Sequence, residues 1–241
     1  YPIFECDYTE STGQVKINIS QIHDQSETIG LFKVQMPIQI RFADGTDTLF
    51  NASIDSQETT LSISNTLGKS IQYVLFNVNH ALYAKIEQEK TTAELLAQAL
   101  EAKDMIDRYL ALAELEDRPL KEKRNILLAC FENESFFAPR ANIVKQLAND
   151  NNSKSQELIM KSLLDNDARV RRAVVYHLEK VSKKIQPVYE NLLLDSSYAN
   201  IKMTLEKLIE EFPESKEKYL KITHLDAQKN DLLNIAHLSF K

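Results

Sequence analysis

The chain has 241 residues, enough for one large or two ordinary domains with a sizeable buried core. Its 43% hydrophobic and 27% charged residues are the proportions of a soluble globular protein. The net charge of -6 at pH 7 excludes a general nucleic-acid binder, which needs a basic face to displace counterions, and no apolar run approaches the ~18 residues of a membrane span.

Charge is unevenly spread. Of the 29 basic and 35 acidic residues, 4 and 9 fall in residues 1–83, which leaves 25 and 26 for residues 84–241. The sparsely charged first part alternates. Val15, Ile17 and Ile19 face away from Lys16, Asn18 and Ser20, and Val34, Met36, Ile38, Ile40 and Phe42 repeat the pattern. Phe50, Ala52 and Ile54, then Thr59, Leu61 and Ile63, continue it. A period of two predicts strands with one buried face. Turn pairs punctuate them at Thr12-Gly13, Asp44-Gly45 and Leu67-Gly68, and Asp44-Gly45 marks a hairpin. Six or seven short strands without an intervening helix predict a small antiparallel β-sandwich over residues 1–83. Pro37, inside the longest run, predicts an edge strand or a bend there. Ile71 to Phe76 reads as the last apolar strand. Lys85 to Lys90 reads as a polar link. The chain opens on Tyr1-Pro2 without Met, so we expect a processed product or a piece of a longer protein.

From Thr91 or Thr92, either of which can cap a helix with Glu94 following, the period becomes helical. Pro119, Pro139, Pro187 and Pro213 fall near expected helix starts, where a missing N–H is harmless. Asn149 to Ser153 is the clearest loop. The segment Asp165 to Val181 predicts one helix, capped by Asp167, with Val170, Val174, Leu178 and Val181 on one face. Its pattern recurs. Arg171, Val174 and Leu178 map onto Lys202, Leu205 and Ile209, back onto Arg140, Ile143 and Leu147, and back again onto Arg108, Ala111 and Leu115. Such a period marks stacked helix pairs, so the expected fold class is multidomain, β then α: a β-sandwich in 1–83 followed by an α-α HEAT-like superhelix in 84–241.

Chemistry is scarce. None of His23, His80, His177, His224 and His237 has a second histidine at i+4, so the H-E-x-x-H of a zinc peptidase is absent. There is no G-x-S-x-G, no glycine-rich phosphate loop and no acidic calcium loop. Asp165-Asn166-Asp167 lacks the glycine and late glutamate of such a loop and reads as capping. Catalytic residues: none; metal ligands: none. His177 is expected to be packed and hydrogen-bonded. Cys6 and Cys130 are either two buried thiols or a bridge between the two parts. The repeated cations Arg108, Arg140, Arg171 and Lys202 form a basic ladder with two readings. They line a concave face that holds peptide carboxylates, or each ties its repeat to an Asp or carbonyl of the next.

Several stretches carry a family resemblance. Tyr1-Pro2-Ile3-Phe4 with Tyr8, then Val15 to Gln21 ending on a glutamine, then Phe32 to Arg41, Ile71 to Ile86 and the Asp165 to Leu178 helix are similar to one family's domains in the same order. The chain resembles the C-terminal, non-catalytic portion of a bacterial zinc aminopeptidase of the aminopeptidase N type. Asn77 stands where that family usually has aspartate. Its G-x-M-E-N loop is absent too, and Glu132-Asn133-Glu134 is a superficial echo. The resemblance therefore carries over no catalytic or metal residue. It implies zinc in the catalytic domain of a parent protein and no cofactor in this chain. It implies two partners, that catalytic domain in the same polypeptide and a peptide substrate, and a helical domain that caps the active-site cleft. The alternative is a stand-alone helical-repeat scaffold that binds a protein or peptide.

Overall fold

A computed structural model describes residues 1–26 and 29–240. The chain divides into two compact units, Tyr1–Asp104 and Met105–Lys241. Strands come first and helices after, as the change of hydrophobic period requires.

In the first unit, β1 (Ile3–Ser11) and β2 (Gln14–Gln21) form a hairpin whose turn residue Gly13 takes φ +77°, open to glycine without strain. β5 (Glu58–Ser64) pairs antiparallel with β2, and β7 (Lys85–Glu87) runs parallel beside β1. The second sheet has the order β4-β3-β6, from β3 (Val34–Phe42), β4 (Asp47–Ile54) and β6 (Ile71–Phe76), all antiparallel. The alternating residues of both sheets meet in one core. Phe4, Val15, Ile17 and Ile19 come from the first sheet, and Met36, Ile38, Ile40, Ile54 and Val74 from the second. Every one of these nine is fully buried, and burying a side chain of this size stabilises by roughly 1.5–3 kcal/mol.

Three local expectations change. β3 is the central strand of its sheet, not an edge. Pro37 is tolerated because β6 pairs with β3 only from Ile38 onward, so the proline lies past the end of that ladder. The irregularity in β3 falls instead between Arg41 and Phe42. Lys85 to Glu87, read as a polar link, is a strand. Three residues are too few to show a period, and the partner decides: the Lys85 N–H bonds the Pro2 carbonyl at 3.1 Å and the strand extends the first sheet. The helix α1 (Thr92–Glu101) also belongs to the first unit. Thr91 caps it in a reciprocal box with Glu94. It packs on β6, where Ala97 meets a cluster of Tyr73, Leu75, Val78 and Ala102. Arg41 of β3 reaches Glu101 at its end, at 3.1 Å.

The second unit is helical: α2 (Met105–Glu114), α3 (Leu120–Asn133), α4 (Phe137–Leu147), α5 (Ser153–Ser162), α6 (Ala168–His177), α7 (Gln186–Glu190), α8 (Tyr198–Glu211), α9 (Lys216–Ala227) and α10 (Asp231–Ser239). The even-numbered helices adjoin in succession, α2 to α4 to α6 to α8 to α10, and α3 lies beside α5. Of the apolar positions of the recurring pattern, Ala111, Leu115, Ile143, Leu147, Val174 and Leu205 are fully buried, and Leu178 and Ile209 are buried at 6% and 7% exposure. The helix expected to reach Val181 ends at His177, with Leu178 extended at ψ 113°. Side chains of neighbouring segments hold the turn open. Asn149 Nδ2 donates to the His177 carbonyl, its Oδ1 accepts the Glu179 N–H, and Glu211 accepts the Val181 N–H, all within 2.8–2.9 Å. These bonds satisfy groups that the helix would otherwise have paired internally.

Candidate functional site

The basic ladder resolves into a repeated clamp. Arg171 on α6 grips Asp195 with two bonds, Nε to Oδ2 at 2.6 Å and Nη2 to Oδ1 at 2.8 Å. Arg140 on α4 pairs with Asp165, and Arg108 on α2 pairs with Glu134 at 2.7 Å. Each arginine thus reaches the acid just before the next even-numbered helix. The acids sit in one kind of turn. Glu134 accepts the N–H of Phe136, Asp165 that of Asp167, and Asp195 that of Ser197. Those three donors are the N-cap residues of α4, α6 and α8. One carboxylate therefore fixes the entry of a helix and ties it to the helix before. The carboxylate side chains are 4%, 1% and 0% exposed, so the charges are compensated in place rather than hydrated.

Two further placements differ from the sequence reading. Arg124 on α3 makes the same clamp with Asp150, at 2.5 and 3.0 Å, and Asp150 accepts the N–H of Asn152, the N-cap of α5. The recurrence of Arg108, Arg140 and Arg171 hides this rung, because Arg124 belongs to the row of α3 and α5. Lys202 behaves otherwise: it pairs with Glu206 one turn along its own helix. Counted from the N-cap, Arg140 and Arg171 are fourth and Lys202 fifth, so helix rotation points it elsewhere. The signal available in the sequence was an acid, then Ser or Asn, then an N-cap: Glu134-Ser135-Phe136, Asp150-Asn151-Asn152, Asp165-Asn166-Asp167 and Asp195-Ser196-Ser197. An arginine stands 24 to 26 residues before each acid.

Burial raises the carboxyl groups of Glu134, Asp150 and Asp195, but the arginine bonds and the N-cap N–H bonds outweigh it and hold all three below the usual range. Arg171 adds bonds to the carbonyls of Asp165 and Asn166, at 2.6 and 3.2 Å, so one side chain joins the turns before α6 and before α8.

A pocket of about 290 Å³ opens on α2, α4 and α6, lined by Tyr109, Glu116, Phe137, Asn142, Lys145 and His177. Glu116 accepts from Asn142 at 2.7 Å and pairs with Lys145. Burial raises its carboxyl, and these two partners bring it below the usual value. His177 is half-buried on the pocket wall, its ring 4.9 Å from that of Tyr176. Burial, then the Lys145 charge, lower its pKa below the ordinary imidazole value. Cys6 and Cys130 are both buried free thiols, one in each unit.

In comparison with known proteins, no protein-family model matches the chain. No curated protein sequence matches it either. Among solved structures it is similar to the crystal structure of Legionella pneumophila aminopeptidase A in complex with aspartic acid, at 14% identity and a TM-score of 0.42 over 98% of this chain. The chain spans 32% of the length of that structure's chain.

Proposed function

We propose that this chain is the non-catalytic C-terminal part of a zinc aminopeptidase of the aminopeptidase N type, a β-sandwich followed by a HEAT-like superhelix. The reading rests on the sequence resemblance, and the observation that carries it is Gln21. That glutamine ends the second strand. It is buried at 1% exposure, donates to the carbonyls of Phe32 and Ser56 at 2.9 and 3.0 Å, and accepts the Phe32 N–H at 2.9 Å. Asn77, where that family usually has aspartate, departs from the pattern. It is buried in a left-handed backbone conformation, φ 58°, and brackets Leu82 through both amide atoms at 2.9 and 2.8 Å. Zinc and the hydrolytic groups would belong to the catalytic domain of the parent, and the helical unit would cap its cleft and bound the space that admits peptides. In this reading the arginine clamps are structural, and peptide meets the face of α2, α4 and α6.

The test compares the 241-residue chain with the whole encoded polypeptide on an aminoacyl chromogenic substrate with zinc. The whole polypeptide is expected to turn over and to lose activity with a chelator, and the short chain to be inert. Chelator-sensitive turnover by the short chain refutes the proposal, as does an open reading frame with no H-E-x-x-H upstream of Tyr1.

A second reading, a stand-alone helical scaffold that binds a peptide, draws on the pocket beside Tyr109 and Phe137. Its charges are already matched internally, so it would favour an apolar or aromatic side chain over a charged one. An inert full-length protein that still binds peptides through this face would favour it.

A further inference from the structure

The pocket on α2, α4 and α6 has a floor of small residues and walls of rings. Ala138, Ala141 and Lys145 follow one another at helical spacing along one face of α4, and Ala173 and His177 stand one turn apart on α6. α4 adjoins both α2 and α6, and where the three alanines line the groove a space of about 290 Å³ stays open. Tyr109 and Phe137 supply the rings. The Arg169 guanidinium lies 3.3 Å over the centroid of the Phe137 ring and holds it, so that wall is formed before any ligand arrives.

The polar groups of the pocket are of two kinds. Glu116 is taken up by Asn142 and Lys145, and Asn142 also accepts from Gln146, so the ionised groups offset each other. The Tyr109 hydroxyl and the His177 ring nitrogens line the same pocket and have no hydrogen-bond partner among the described residues. A hydroxyl and an imidazole can each donate and accept. We propose that this pocket is a subsite for one aromatic residue of a peptide, its ring packed between Tyr109 and Phe137 over the alanines and its main-chain amide bonded by the Tyr109 hydroxyl and the His177 imidazole. The inference rests on the contact between peptide and this face that both readings above share, and it adds a side-chain preference. Charge chooses the occupant. A lysine or aspartate would bring an unmatched charge beside a pair that is already neutral, whereas an aromatic residue is neutral and its amide offers the one donor and one acceptor that the free groups need. Ring against ring adds to the area buried, so phenylalanine is expected to bind roughly two- to tenfold more tightly than leucine at the same position.

NMR titration of the 241-residue protein with short, end-capped alanine-glycine peptides carrying one central Phe, Leu, Lys or Asp tests this. The Phe peptide is expected to bind most tightly, to shift the His177 ring and the Ala141 and Ala173 methyl signals, and to be followed by Leu, with Lys and Asp far behind. Ala141→Leu, at a half-buried position, fills the floor and is expected to abolish binding with an unchanged melting point. Tyr109→Phe keeps the ring, removes the hydroxyl, and is expected to weaken binding roughly three- to tenfold, which keeps the test open if Ala141→Leu folds poorly. The whole encoded polypeptide is expected to show the same order of peptides. No binding, equal binding of the Phe and Asp peptides, or binding that survives both variants overturns the proposal. Binding by the short chain but not by the whole polypeptide overturns it too, since another part of that polypeptide then fills the pocket. A whole polypeptide that binds the Phe peptide yet turns over no aminoacyl substrate refutes the aminopeptidase reading and leaves the subsite standing.

Discussion

Replacing Arg171 by alanine isolates the energetics of the clamp. The substitution leaves Asp195, whose side chain has no solvent exposure, without its counter-charge. Removing one partner of a buried pair costs about 3–5 kcal/mol, because the other is left as an uncompensated charge. The carbonyls of Asp165 and Asn166 also lose their donor. Asp195 keeps the Ser197 N–H at 2.7 Å and the Asn200 amide at 3.3 Å, which argues for the lower end, about 3 kcal/mol. For a helical unit of this length, each kcal/mol moves the midpoint by roughly 3–5 °C, so a fall of about 10–15 °C is expected. The control is Lys202→Ala. Its i,i+4 pair with Glu206 has side chains 33% and 40% exposed, so it should cost no more than about 0.5 kcal/mol. The assay is thermal unfolding followed by circular dichroism or calorimetry, with Asp195→Asn added to Arg171→Ala to complete a cycle. The double variant should recover part of the loss, because no buried charge is left behind. If Arg171→Ala melts within 1–2 °C of Lys202→Ala, the clamp contributes nothing beyond a surface pair and the structural reading of the ladder fails. If it keeps its melting point while the full-length protein, on the proposed reading, loses affinity for longer peptides, the arginine faces substrate instead.

The remaining expectations concern pH, thiols and the buried glutamine. Glu134, Asp150 and Asp195 have folded pKa values below their unfolded ones. The stability they contribute is therefore present above the ordinary carboxylate range and is lost as pH falls through the folded values. Denaturant midpoints measured between pH 7 and about pH 3 should drop on the acid side. In Arg171→Ala the loss should be largest at neutral pH and shrink on acidification, since protonation relieves the unpaired Asp195. A loss independent of pH would contradict this. Burial first, then neighbouring carboxylates, push the thiols of Cys6 and Cys130 up to about 12 and about 11. Neither should react with a disulfide reagent at pH 8 in the native protein, and both should react in denaturant. Gln21→Ala removes three bonds from a buried amide and strands the Phe32 N–H and two carbonyls. It should destabilise the first unit by about 2–4 kcal/mol, measured by denaturant unfolding, and a change below 1 kcal/mol would show that the loops it ties re-pair without it.

What the sequence determined by itself was what rests on short-range periodicity. Alternation in Val15 to Ile19 and Val34 to Phe42 predicts strands, spacing of 3 and 4 in Val170 to Val174 predicts a helix, and Thr91 with Glu94 predicts its cap. Side-chain direction along a strand or helix depends on the local backbone alone. The tertiary structure decided the features in which a partner far along the chain chooses among local options. Lys85 to Glu87 becomes a strand because β1 offers an open edge. Pro37 sits in a central strand because β6 stops short of it. α6 ends at His177 because Asn149 takes up the exposed backbone groups. The ladder was half legible. The recurrence named Arg108, Arg140 and Arg171, but counting residues between helices of unequal loops included Lys202, which rotates away, and missed Arg124. Only the packed helices fix which cation meets which buried carboxylate, because that depends on the phase of each helix, which a loop longer or shorter by one residue shifts by about 100°.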